Sequence, residues 1–191
     1  NPFLLQALGV LVERRQGDLE AAADLYGRAL QAAPRHAAAW VALGTLEARR
    51  GRHAQAKRCL ERAVSIAPNN PVTWHALGVW HARRASAGGA RDARKELRTA
   101  GEYLERAAGL RAGNAVALQA LGCVRARQGR LREARRNLQL AVACAPGNTR
   151  CLQALALVKA AQGDGNRAHA LLDHAIQLRP SDGGLYTAKA K

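Results

Sequence analysis

The strongest constraint on this chain is a spacing. Pro34 is followed by Pro68, and Pro146 by Pro180, each 34 residues on. Trp40 and Trp74 keep the same interval, as do Leu43-Gly44 and Leu77-Gly78. Leu121-Gly122 comes 44 residues later, one period plus about ten extra residues, and Leu155-Ala156 falls 34 beyond that. Alanines hold the same phase at Ala22, Ala56, Ala100, Ala134 and Ala168, and again at Ala29, Ala63, Ala107, Ala141 and Ala175. A period of this length marks a supersecondary unit that cannot bury its apolar face alone and must stack on its neighbours.

Composition says what the unit is made of. Hydrophobic residues are 48% of the 191, aromatics only 4%, and the apolar mass is mostly Ala and Leu. These are strong helix formers, and β-branched residues are few, so sheets are excluded and each period is predicted to be two amphipathic helices. Pro cannot continue a helical hydrogen-bond ladder, so the proline that ends each period is expected to stop the second helix. The spacing predicts helix pairs at 2–15 with 18–32, 37–50 with 53–66, 71–84 with 92–110, 115–128 with 131–144, and 149–162 with 165–178. The tail 181–191 is expected to start a capping helix or a further repeat. No apolar run approaches the roughly 20 residues that cross a bilayer.

The residues in phase resemble the tetratricopeptide repeat (TPR). Its pattern stands in the second copy as Trp40, Leu43, Gly44, Gly51, Ala56, Leu60, Ala63 and Pro68. In the fourth it is Leu118, Leu121, Gly122, Gly129, Ala134, Leu138, Ala141 and Pro146, and in the fifth Leu152, Leu155, Ala156, Gly163, Ala168, Leu172, Ala175 and Pro180. The first copy has Leu8-Gly9, Gly17, Ala22, Tyr26, Ala29 and Pro34, with one extra residue before its turn. The resemblance covers residues 1–180, in repeats at about 2–34, 37–68, 71–112, 115–146 and 149–180. It implies an all-α, right-handed α-solenoid with first helices lining a concave groove. The departure is an insertion at 85–95, where Ser86-Ala87-Gly88-Gly89 breaks the helix. That segment is read as an exposed loop, either a tolerated insertion or a partner-docking element, with Asp92 as a candidate cap of a longer second helix.

A finer likeness, to the half-a-TPR (HAT) variant, rests on Trp40, on Glu47 seven residues later, and on the basic, Ala-rich run Ala56-Lys57-Arg58-Cys59-Leu60-Glu61-Arg62-Ala63. His81, Arg125 and Lys159 stand where Glu47 stands. HAT repeats occur in RNA-processing complexes and organellar RNA-stability factors, so this likeness implies an RNA-linked assembly in an organelle, chloroplast or mitochondrion. The four cysteines form no CxxC pair and are expected as reduced, buried thiols. Position 1 is not Met, and the chain is expected to be a piece of a longer one.

Catalysis has no foothold. There is no strand-borne phosphate loop and no HExxH. His75 and His81 are six apart and His169 and His174 five apart, off metal-ligand spacing. No enzyme, cofactor or metal is expected.

Charge is the informative feature. The net formal charge is +16, and 25 of the 30 basic residues are Arg, whose planar fork holds phosphate and carboxylate. Arg15, Arg49, Arg83 and Arg127 fall near the ends of successive first helices, with Arg50 and Arg84 directly after two of them. On the TPR geometry they form a ladder along one edge of the groove, and the plainer alternative is that they complement helix dipoles. The densest patch is Arg125, Arg127, Arg130, Arg132, Arg135 and Arg136 around Gly129. Between Arg106 and Arg167 eleven basic residues face two acids, Glu133 and Asp164. Such self-repulsion favours a polyanionic partner, RNA foremost, or an acidic protein. Trp40 and Trp74 are expected in the core, and Trp80 is a candidate base-stacking contact. Val41, Thr45, His75, Val79, Gln119 and Gln153 are the candidate groove residues for protein partners. The asparagines and lysines with which some TPR proteins clamp a chaperone's C-terminal carboxylate are missing from this face. The expected function is a scaffold that holds proteins and touches RNA within a larger complex. A purely protein-binding adaptor or assembly factor is the alternative.

Overall fold

The computed structural model describes residues 1–15, 17–87 and 90–190, and of Ala90 and Arg91 only the backbone. Among the described residues there are eleven α-helices and no strands. They are α1 (Pro2–Arg15), α2 (Leu19–Ala32), α3 (Ala37–Arg49), α4 (His53–Ile66), α5 (Pro71–Arg84), α6 (Ala90–Gly109), α7 (Ala115–Arg127), α8 (Leu131–Cys144), α9 (Thr149–Ala161), α10 (Gly165–Leu178) and α11 (Gly183–Lys189). The chain gathers into two compact units, Asn1–Trp80 and His81 onward, dividing inside α5.

Local chemistry sets the ends. Asp18 caps α2, accepting from the Glu20 and Ala21 amides at 3.0 and 2.9 Å, and Asn148 caps α9 by accepting from the Arg150 amide at 3.1 Å. The first helices α1, α3, α7 and α9 are each followed by a left-handed glycine. At Gly51 (φ 76°) the Arg52 amide reaches back to the Glu47 carbonyl at 2.9 Å, and at Gly129 (φ 78°) the Arg130 amide reaches the Arg125 carbonyl at 2.9 Å. Pro34, Pro68, Pro146 and Pro180 each follow the C-cap of a second helix. Trp40 Nε1 donates to the Pro34 carbonyl at 2.9 Å and Trp74 Nε1 to the Pro68 carbonyl at 2.7 Å. The two indoles are half-buried brackets between consecutive pairs rather than full core.

Packing within a pair depends on a missing side chain. A Cβ on Gly44 would lie 2.8 Å from Leu60 Cγ and 3.2 Å from the Ala56 carbonyl oxygen, and one on Gly122 would lie 2.5 Å from Leu138 Cγ. Between pairs, Ala22 and Tyr26 of α2 enclose Leu46 of α3 in the first unit. In the second unit Ala134 and Leu138 of α8 enclose Leu155 and Val158 of α9, and α11 covers α10 through Leu185. Burying each of these leucines contributes about 2 kcal/mol.

The extra residues of the third copy go mostly into helix. The Gly88-Gly89 break lies outside the described residues. Beyond it α6 starts at Ala90 and runs 20 residues, so 90–95 is not the exposed loop expected. Asp92 sits in the first turn, where a carboxylate complements the dipole, and does not cap. Ala85 is buried, while Ser86 and Ala87 are exposed.

Candidate binding surfaces

In the first unit the inner faces of α1, α3 and the start of α5 line a pocket of about 350 Å³. Its floor is Val10, Ala38, Val41, Ala42 and Val72, with Gln6, Glu13, Arg14 and Thr45 adding polar atoms. Val41 and Thr45 are among the lining residues. The Thr45 hydroxyl donates to its own helix, at the Ala42 carbonyl, 2.9 Å away, so its methyl is what it offers a ligand. His75 and Val79 are half-buried on α5, and burial holds the His75 imidazole below its ordinary pKa, hence neutral at pH 7. In the second unit Gln119 Nε2 donates to Cys123 Sγ at 3.3 Å, and Gln153 Nε2 to the Gly184 carbonyl at 3.3 Å, which ties α9 to α11.

The arginines separate into two kinds. Arg49 is exposed but pairs with Glu13, whose other oxygen accepts the Tyr26 hydroxyl at 3.0 Å. Burial and that hydrogen bond push the Tyr26 pKa well above its ordinary value. Arg50 is no free rung of a ladder. Its buried side chain pairs with Glu20 and, at 2.8 Å, with the equally buried Glu47, which Arg52 approaches at 3.6 Å. Arg15 is exposed and has no ion pair among the described residues, and Arg14 rather than Arg15 lines the groove. The extra residue in the first copy is the reason: Leu8-Gly9 to Leu43-Gly44 spans 35 residues, which puts Arg14 in register with Arg49.

In the second unit Arg83 is exposed and Arg84 half-buried. Arg127 donates to the Ala82 carbonyl at 2.6 Å and to the Ser86 hydroxyl at 3.0 Å, and so secures the end of α5. Arg125 is buried, paired with Glu105, 3.4 Å from Glu133 and bonded to Gln128 at 2.8 Å, so it offers nothing to a polyanion. Arg130 holds Glu133 at 2.7 Å. Arg132, Arg135 and Arg136 on α8 are exposed and pair with no carboxylate among the described residues.

One register explains the buried members. Glu47, His81, Arg125 and Lys159 occupy the same place in successive first helices, and all four are buried. Each meets a compensating group: Arg50 for Glu47, Glu96 at 2.5 Å for His81, Glu105 for Arg125, and Asp164 at 3.0 Å for Lys159. In these four helices the position holds a polar head of either sign with a partner nearby, whereas α1 has Val12 there. Trp80 corrects a second expectation. It is buried, not a stacking platform, because it is the 34-residue counterpart of the buried Leu46.

The four cysteines are free thiols; Cys59 and Cys151 are buried and Cys144 is exposed. Burial raises the pKa of Cys59, Cys123 and Cys151. Among the described residues no three His, Cys, Asp or Glu gather as metal ligands, and no helix is long and apolar enough to cross a membrane.

Comparison with known proteins agrees with this architecture. The tetratricopeptide repeat family matches residues 13–78. No curated protein matches the chain by sequence. Among solved structures, TTC0263, a thermophilic TPR protein of Thermus thermophilus, superposes with a TM-score of 0.87 at 22% identity, covering 100% of this chain and 97% of that one. A chain of the APC/C hetero-tetramer Cut9-Hcn1 gives 0.82 at 18% identity over 100% of this chain and 36% of that one. YrrB, a TPR protein with an unusual peptide-binding site, gives 0.64 at 21% identity over 100% and 93%. The tetratricopeptide repeat family thus matches residues 13–78 by sequence, and the whole chain has the fold of a TPR solenoid.

Proposed function

We propose that this chain is a non-catalytic repeat scaffold. It holds an extended protein segment against the apolar floor of Val10, Val41 and Val72, and it touches RNA through α8, within a ribonucleoprotein or organellar RNA-processing assembly. The observation that carries the RNA contact is the set Arg132, Arg135 and Arg136, exposed on one helix while the acid among them, Glu133, is held by Arg125 and Arg130. Three guanidinium groups without counter-charge attract backbone phosphate without reading bases. The HAT-like run from Trp40 through Glu47 to the basic α4 supports the same setting.

The groove alone supports the second reading, a protein adaptor that never meets nucleic acid. Its apolar floor, and the internal pairing of Arg49, Arg50 and Arg125, both favour that reading. Binding of generic single-stranded RNA across a salt series separates the two. If RNA is bound, replacing Arg130, Arg132, Arg135 and Arg136 by Gln lowers the slope of log K against log salt by about 2–3, at roughly 0.7 for each phosphate no longer neutralised. Helicity stays unchanged. An unaltered slope removes α8 from the contact, and no binding even at low salt leaves the adaptor.

A further inference from the structure

Between α8 and α10, over the second half of α9, lies a groove of about 430 Å³. Leu155, Ala170 and Leu171 give it an apolar floor, and Gln139, Lys159 and Arg167 stand around that floor. Lys159 is buried, yet its three donors find one acceptor among the described residues, Asp164 Oδ2 at 3.0 Å. Arg167 Nη1 approaches the same oxygen at 3.4 Å. Two cations thus share one carboxylate. The preceding groove of the same unit, 34 residues earlier at every position, answers its buried cation differently. There Arg125 meets two carboxylates, Glu105 from α6 and Glu133 of α8, the latter at 3.4 Å. Their counterparts beside Lys159 are Gln139 and Arg167, and Arg136 and Asn137 give way to Ala170 and Leu171. From one groove to the next both acids are lost and an apolar floor is gained.

We propose that the α8–α10 groove binds an acidic segment of a partner protein, in which a glutamate or aspartate stands beside an aliphatic residue. The carboxylate does for Lys159 and Arg167 what Glu105 does for Arg125, and the aliphatic side chain covers Ala170 and Leu171. A second copy of the chain is a poor source of that acid. The chain carries a net charge of +16, and among the described residues every carboxylate except Asp92 already pairs with a base or caps a helix. A nucleobase is a poor occupant as well, because the one ring among the lining residues is the exposed His174 and no aromatic platform lies on the floor.

The probe is a rhodamine-labelled peptide, Leu-Glu-Glu-Leu-Glu, capped at both ends and titrated into the 191-residue chain by fluorescence anisotropy. Saturable binding is expected. A peptide with glutamine for each glutamate, and one with glycine for each leucine, are each expected to bind about tenfold or more weakly. Gln139 is exposed, so Gln139→Glu leaves the core alone and puts a carboxylate where Glu105 stands in the preceding groove. That variant is expected to bind the acidic peptide about tenfold more weakly, with no loss of stability in urea. Absence of binding, equal binding of the glutamine peptide, or unchanged binding to the Gln139→Glu chain overturns the proposal. So does a dimer of the chain alone that Gln139→Glu dissolves. Displacement of the peptide by single-stranded RNA, on a chain whose four α8 arginines are Gln, would give the groove to nucleic acid and overturn it too. The α8 arginine variant is expected to keep the full effect of Gln139→Glu on the peptide, so this proposal and the RNA reading fail separately.

Discussion

The α3–α4 and α7–α8 pairs use one set of backbone devices and treat arginine in opposite ways. Both close the first helix on a left-handed glycine, and both press a second-helix leucine onto a first-helix glycine. Around α3–α4, however, Glu13, Glu20 and Glu47 meet Arg49, Arg50 and Arg52. Around α7–α8, Glu105 and Glu133 are consumed by Arg125 and Arg130, and three arginines of α8 remain. A count of arginines therefore does not locate a binding surface. The local supply of carboxylates decides which guanidinium groups hold the fold and which are left for a partner.

The shared part of the comparison breaks most sharply at the glycines. Gly44→Leu and Gly122→Leu are each expected to lower unfolding free energy by about 3 kcal/mol, because the new side chain overlaps Leu60 or Leu138 and then a backbone carbonyl. Urea denaturation followed by circular dichroism measures it. Gly44→Ala is expected to cost about 1 kcal/mol, since Ala156 already fills that place in the α9–α10 pair. If one leucine variant is destabilised and the other is not, the two pairs do not share a register.

The contrasting part is tested by charge deletion. Arg50→Gln leaves the buried Glu47 carboxylate with only Arg52, 3.6 Å away, and is expected to cost about 2 kcal/mol. Arg136→Gln removes an exposed, unpaired charge and is expected to change stability by less than about 0.5 kcal/mol. Equal costs would mean that α8 holds its arginines as tightly as α3 does.

The sequence carried the repeat unusually well, because glycine, alanine and proline mark positions where only their own geometry fits. Val41 and Thr45, which line the pocket of the first unit, stand beside Trp40 and Gly44 in that phase. The ionic register was not legible. Glu47, His81, Arg125 and Lys159 share no chemistry, and two of the acids in the network, Glu20 on Arg50 and Glu105 on Arg125, lie 30 and 20 residues earlier in the chain. Two misplacements had a readable signal. Arg14 follows from the 35-residue step between the first two Leu-Gly pairs, and the burial of Trp80 follows from its distance of 34 residues to Leu46.

The mildest perturbation compares the inner wall of α4 with the end of α8. Cys59 is buried on α4, and its thiol pKa is raised, first by burial and then by the Glu47 charge. Cys144 ends α8 and is exposed. A raised pKa leaves less thiolate at pH 8, and thiolate is the species that attacks a disulfide reagent. In native protein Cys144 is expected to react first with an aromatic disulfide. Cys59, Cys123 and Cys151 follow roughly tenfold or more slowly, as local opening exposes them. Mass mapping of the labelled cysteine assigns the fast phase. Gly44→Ala loosens the contact of α4 with α3, and it is expected to speed Cys59 and leave Cys144 alone. Cys59 reacting as fast as Cys144 in the unmodified chain would show that α4 opens freely, and the ion-paired repeat would then be no firmer than the one whose arginines are exposed.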